Sequence, residues 1–356
     1  MKKSIRDRGS KRRHGFTLIE VLVATVVLLL IMGILLTVTT QAGNLWRTTT
    51  AKMEQFRGAR DAFETMTRNL GQATLNTYWD YDVPSAPTKY VRQSELRFIS
   101  GNTVALAGTP AAPRQWLTHG VFFQAPLGFS QDTTTYGLEN LLNTWGYFIE
   151  FGDDSAQRPA IVTTAITPLR YRYRLCEMMQ PTNALTIYGG TGGNSGTSGN
   201  PSYAGKDWFS VAMNLPDTAT NPARPVHVLA ENIIALIILP KLSQTEDLTG
   251  TALAPTYLYD STAKNTNAEL NPKNQLPPVV EVTMVAIDEG SAIRLAQGQG
   301  ATMPDFGLNG LFTNASQMDA DLNTLETTLA SKHINYHVFS TNVAIKGAKW
   351  SRDESN

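Results

Sequence analysis

Gly15-Phe16-Thr17-Leu18-Ile19-Glu20, continued without a break by Val21-Leu22-Val23-Ala24-Thr25-Val26-Val27-Leu28-Leu29-Leu30-Ile31-Met32-Gly33-Ile34-Leu35-Leu36-Thr37-Val38, is the stretch on which the fold turns. From Phe16 to Val38 it holds 23 residues and a single charge, Glu20. At ~1.5 Å per residue a helix of that length runs roughly 35 Å, against a bilayer core of ~30 Å. Residues 1–15 carry seven basic groups (Lys2, Lys3, Arg6, Arg8, Lys11, Arg12, Arg13) and one acid, Asp7. Basic flanks stay in the cytoplasm, so the charge predicts a cytoplasmic N-terminus and an exported remainder.

Three readings compete for this segment. A secretory signal peptide has a shorter apolar region, roughly 7–15 residues, closed by a small-residue cleavage site. Here the run is longer and no Ala-x-Ala-like site closes it. A plain signal anchor fits the length and the charges but leaves Glu20 without a reason. An unpaired carboxylate is expensive in a spanning helix, so an acid there is read as functional by default.

The third reading accounts for the acid. Gly15-Phe16-Thr17-Leu18-Ile19-Glu20, set between a basic leader and an apolar span, resembles the processing motif of type IV prepilins and type II secretion pseudopilins. The resemblance implies cleavage after Gly15 by a prepilin peptidase/methyltransferase, on the cytoplasmic face, and N-methylation of Phe16. It also implies that Glu20 serves assembly, facing the N-terminal amine of a neighbouring subunit. A cation and a carboxylate sharing an apolar environment relieve each other's desolvation cost.

Beyond Val38 the apolar run does not stop; it turns amphipathic. Leu45, Met53, Phe56, Phe63, Met66 and Leu70 recur at helical spacing, with Ala59 and Ala73 between them. Arg47, Lys52, Glu54, Arg57, Arg60, Asp61, Glu64 and Arg68 fill the other side. That is a one-sided stripe made to pack on a domain. Gly43 is a candidate kink, and Gly71 with Asn76 predicts an end near residue 76. The division that follows is a leader over 1–15, a transmembrane half over 16–38, an amphipathic half over 39–76, and an exported domain over 77–356.

The whole chain has 356 residues, 42% hydrophobic and 17% charged, so it has the means to bury a core. Its net charge of zero hides an asymmetry: the part after residue 15 holds 23 basic and 29 acidic residues. An acidic exported part argues against nucleic acid as a partner. Cys176 is the one cysteine, which excludes an internal disulfide, and it reads as buried and inert.

After residue 77 the pattern becomes that of strands. Glu95–Ile99, Gly120–Phe123, Trp145–Phe151, Arg170–Leu175, Ile233–Leu239 and Pro277–Glu289, the last with a proline start, carry it, and Phe339–Ile345 follows at the end. Arg170–Leu175 alternates strictly and reads as a strand with a solvated basic face. Leu138–Asn143 reads as a short helix. Tyr188–Pro201 reads as an exposed Gly/Ser/Thr/Asn loop. Residues 299–331 read as an insertion with a helix capped by Ser316. The fold class is therefore α+β: a long N-terminal transmembrane and amphipathic helix packed on a mostly antiparallel β domain.

Leu229–Leu239 and Leu276–Asp288 add to the resemblance. They are similar to the paired core strands of J-type minor pseudopilins, and the chain looks closest to the Verru_Chthon cassette protein C family, large prepilin-like proteins of verrucomicrobia. That implies a filament subunit, minor rather than major, assembling with other pilins or pseudopilins through N-terminal helices. It also implies an inner-membrane, single-pass location with a periplasmic C-terminal domain. No cofactor and no catalytic residue is expected. Asp153-Asp154 reads as a turn pair, and His333 and His337 read as separated by the start of a strand rather than as metal ligands. The alternative function is a membrane-anchored binding protein. Its candidate features are Tyr78, Trp79 and Tyr81 with the Gly-rich loop, although the three rings read more simply as packing at the helix end.

Overall fold

Gln55 to Leu70 form the last turns of one helix, and they show why the chain changes character where it does. The computed structural model describes residues 17–351, except 84, 139, 160, 163, 165–166, 188–206, 218–222 and 298–300. Helix α1 spans Leu18–Leu70, continuous through Gly43. The chain divides into two compact units, Met1–Glu54 and Gln55–Asn356.

In the second unit Ala59, Ala62, Phe63, Met66 and Leu70 are buried, the helical stripe expected from the sequence. The side chains of Leu45 and Met53 lie outside those described. The helix stops at Leu70, six residues before the expected end. The cause is backbone capture: Gln72 and Ala73 turn back on Asn69 and Leu70, and the Thr74 N–H donates to Gln124 O at 2.8 Å. Once the chain pairs with a strand it no longer propagates the helix.

The strands are β1 (Tyr78–Tyr81), β2 (Tyr90–Gln93), β3 (Ile99–Asn102), β4 (Gln115–Pro126), β5 (Leu142–Gly152), β6 (Arg172–Gln180), β7 (Val226–Glu231), β8 (Ile233–Lys241), β9 (Tyr259–Asp260), β10 (Val279–Ile287) and β11 (Tyr336–Ala344). Short helices are α2 (Thr103–Ala107), α3 (Trp208–Asn214), α4 (Glu289–Ala296) and α5 (Met318–Ser331). Three sheets result: β1-β2, β11-β10-β8, and β7-β6-β5-β4-β3-β9. Every described strand pair is antiparallel. The fold is α+β, with an N-terminal helix whose second half packs on a mostly antiparallel β domain.

Strand β8 lies between the sheets, and Ile233 to Leu239 are buried without exception. A strand covered on both faces must be apolar throughout, which is why its sequence lacks alternation. One edge of β8 pairs with β10. The other is closed by side chains. In β4 the register slips between Leu117 and Val121, and Thr118 takes a positive φ of 49°. This bulge aims two groups at β8: the Leu236 N–H donates to Thr118 Oγ1 at 3.1 Å and the Ile238 N–H to His119 Nδ1 at 3.2 Å. His119 Nε2 then lies 3.0 Å from Phe312 O, which fixes the neutral tautomer with its proton on Nε2.

Four local expectations are corrected. Leu142 and Asn143, expected in a helix, open β5, because they pair with Pro126 and Ala125. Of Glu95–Ile99 only Ile99 is strand; the N–H groups of Arg97 and Phe98 are taken by the side chains of Gln124 and Ser261 instead. Asn314, not Ser316, caps the turn before α5, its Oδ1 accepting from the Ser316 N–H. The basic face of Arg170–Leu175 is solvated only at Arg170: β6 begins at Arg172, and Arg172 and Arg174 are buried. The loop expected at 188–201 lies outside the described residues.

Candidate functional site

Thr17 precedes the first residue of α1 and Glu20 is the third residue within it. The Thr17 N–H donates to Glu20 Oε2 at 2.9 Å, the Thr17 hydroxyl to the same oxygen at 3.0 Å, and the Glu20 N–H to Thr17 Oγ1 at 3.3 Å. This is a reciprocal cap, Thr-x-x-Glu, which satisfies donors that a helix start leaves open. The three-residue spacing of Thr17 and Glu20 is readable in the sequence, where the resemblance assigns Glu20 to assembly. Gly15 and Phe16, the other two expected site residues, lie outside the described residues.

From Leu18 to Gly43 the helix is long and apolar enough to cross a membrane, and its side chains are exposed throughout rather than packed on the rest of the chain. Leu18, Leu29 and Leu36 are 83%, 67% and 61% exposed. A helix that is apolar all round belongs in lipid or in a bundle. Its hydroxyls need no water: Thr25, Thr37, Thr39 and Thr40 donate to the carbonyls of Leu22, Gly33, Leu35 and Leu36 at 2.7–3.0 Å. Trp46 follows, 76% exposed. It stands roughly 42 Å along the helix from Leu18, about the thickness of a bilayer with its headgroups. That is the level where Trp collects. In the sequence the signal for Trp46 is its position just ahead of Arg47.

The remaining candidates are accounted for within the domain. Arg170 and Arg174 meet Glu231 at 2.5 and 3.8 Å, and Arg172 meets Glu289 at 3.3 Å. A cleft of about 440 Å³ beside them is lined by Arg158, Arg170, Arg172 and Gln297. Arg158 there reaches Asp154 at 2.9 Å and the carbonyls of Thr167 and Pro168. The guanidinium groups are thus turned onto their own chain.

Asp153 accepts from the Ser155 N–H at 2.9 Å and Asp154 from the Arg170 N–H at 2.9 Å, so the pair closes a turn. Cys176 is buried, which pushes its thiol well above the usual range. His337 packs between Phe56 and Phe339, ring centroids 5.5 and 4.5 Å away. His333 occupies a positive-φ turn after α5. Among the described residues no three His, Cys, Asp or Glu side chains gather in metal-binding reach. Tyr78, Trp79 and Tyr81 do not pack the helix end; they form β1, exposed along its whole length.

Compared with known proteins, residues 10–36 match the model of the prokaryotic N-terminal methylation motif. No curated protein and no solved structure matches the chain. The motif indicates a prepilin-like substrate of prepilin peptidase, anchored in a membrane by one apolar helix.

Proposed function

We propose that this chain is a minor subunit of a type IV pilus or type II secretion pseudopilus, of the J-type in organisation and closest to the Verru_Chthon cassette protein C family. Processing cuts after Gly15 and methylates Phe16. The N-terminus starts in the cytoplasm and the large unit is exported to the periplasm, the chain crossing the inner membrane once. The observation that carries this reading is the segment Leu18–Gly43, apolar on every side, with Glu20 as its one charge. In the single chain the Glu20 carboxylate closes a cap with Thr17. In a bundle of like helices, the ammonium of a neighbour's Phe16 is the charge that offsets its desolvation. The bulk of the unit Gln55–Asn356 suits a tip or initiating position, since a major subunit must pack densely along the filament.

Intact-mass and N-terminal analysis of the protein from its native membrane, beside Glu20→Ala, tests this. The expected mature chain begins at methylated Phe16 in both, and Glu20→Ala is lost from filaments while remaining in the membrane. A chain still beginning at Met1, or one cut downstream of Val38, sinks the filament reading.

A further inference from the structure

Strands β1 and β2 form a small ribbon of their own. Trp79 stands opposite Arg92 and Tyr81 opposite Tyr90. Strand alternation places these four on one face and Tyr78, Asp80, Val91 and Gln93 on the other. Val91 is buried, so its face is the inner one. The outer face is open, with Trp79, Tyr81 and Tyr90 exposed by 58%, 43% and 62%. It is nevertheless ordered. The rings of Tyr81 and Tyr90 stack at 4.9 Å with their planes 26° apart, and the Tyr90 hydroxyl donates to that of Tyr81 at 3.2 Å. The Arg92 guanidinium lies 5.7 Å over the Trp79 ring and is anchored to Gln275 Oε1 at 3.0 Å and Lys349 O at 3.2 Å.

We propose that this face binds a neutral, β-linked polysaccharide by stacking its sugar rings on Trp79, Tyr81 and Tyr90. The argument is first one of charge. Asp80 and Asp82 balance Lys89 and Arg92. The Asp82 carboxylate is taken up by the N–H groups of Val83, Thr88 and Lys89, and Arg92 is held as above. A phosphate backbone or an acidic polymer finds no open positive cluster here. The second argument is area. Three half-exposed rings offer roughly 300 Å², well short of the ~800 Å² per partner of a stable protein interface. An equatorially linked sugar presents a flat C–H face to a ring and hydroxyls around it, which such a platform fits. The proposal rests on the reading of the large unit as exported, but not on filament assembly.

The test uses the full chain in phosphatidylcholine nanodiscs, free of sugar-headed detergent, titrated calorimetrically with cellohexaose and with the neutral N-acetylglucosamine hexamer. Saturable binding of at least one is expected. Trp79→Ala and Tyr90→Ala each weaken it about tenfold with unchanged melting, Trp79→Phe largely retains it, and Tyr136→Ala, an exposed ring elsewhere, leaves it alone. No heat with either sugar, or equal binding in the alanine variants, overturns the proposal. A Trp79→Ala chain that is processed but excluded from filaments makes the face a subunit contact, which overturns the polysaccharide and leaves the filament reading intact.

Discussion

His119 shows how one residue ties three parts of the chain. It accepts from β8, faces Phe312 O, and lies against the Tyr257 ring at 4.5 Å. Burial lowers its pKa from 6.5 to about 4. The unfolded chain therefore takes up a proton below pH ~6.5 while the folded chain resists until about 4. Stability is full above pH ~6.5, falls between there and ~4, and loses nothing further from this group below that; the gap amounts to on the order of 3 kcal/mol. His119→Ala is expected to cost about 2–4 kcal/mol at pH 7, since it opens a cavity and leaves the Ile238 N–H without its acceptor. Urea melts of both chains across pH 4–7 check this: the wild-type advantage must shrink as pH falls. A constant difference would mean that the ring only fills space. Nothing in the sequence marked His119, because its three partners lie 119, 138 and 193 residues away along the chain.

Among the elements, β5 illustrates both what sequence discloses and what it withholds. Its aromatic alternation gave the strand. The glycine within it has a packing cause that becomes visible only in the sheet. Gly146 stands opposite Phe122, and a Cβ there would come within 2.3 Å of the Phe122 ring. That ring is pinned by Phe209, stacked at 4.4 Å. Gly146→Ala is expected to destabilise by about 1–3 kcal/mol through overpacking, read as a lowered midpoint with an unchanged denaturant slope. One residue on, the Tyr147 hydroxyl accepts from Asn69 Nδ2 at 2.9 Å and donates to Glu177 Oε1 at 2.8 Å, linking α1, β5 and β6. Tyr147→Phe keeps the ring and strips both partners, so a loss of about 1–3 kcal/mol is expected in the same measurement; a neutral effect would show that the relay is replaceable by water. The arginines at the start of β6 and just ahead of it, Arg170, Arg172 and Arg174, teach the complementary lesson. Strict alternation of Arg with Tyr and Leu is the same string for a solvated face and for one covered by distant acids. Glu231 and Glu289, which decide between them, follow Arg170 and Arg172 by 61 and 117 residues.

At the scale of the whole molecule, the chain divides between Glu54 and Gln55 into two compact units, and the apolar span Leu18–Gly43 lies within the first. Among the described residues the buried hydrophobic side chains begin at Ala59 and belong to the second unit. The residues of Leu18–Val38 are exposed throughout, and most of them are apolar. This part was legible because lipid imposes a crude requirement, about 20 apolar residues in a row, that needs no partner to be recognised. The β domain was legible in class but not in detail, because each strand's partner lies elsewhere in the chain. The consequence is separable behaviour. A chain beginning at Gln55 keeps Phe56, Phe63, Met66 and Leu70 for the domain and discards the membrane surface. It is expected to be monomeric without detergent, to show the mixed helix–strand circular dichroism of the domain, and to melt in one cooperative step. The full chain requires detergent or lipid, because an exposed apolar helix of this length self-associates in water. Size exclusion and thermal melts of the two chains decide the matter. A truncated chain that aggregates, or melts without cooperativity, would mean that the first half of α1 stabilises the domain as well as anchoring it. Such a result would also predict that substitutions near the membrane surface reach the domain's stability, which the present division of the core does not allow.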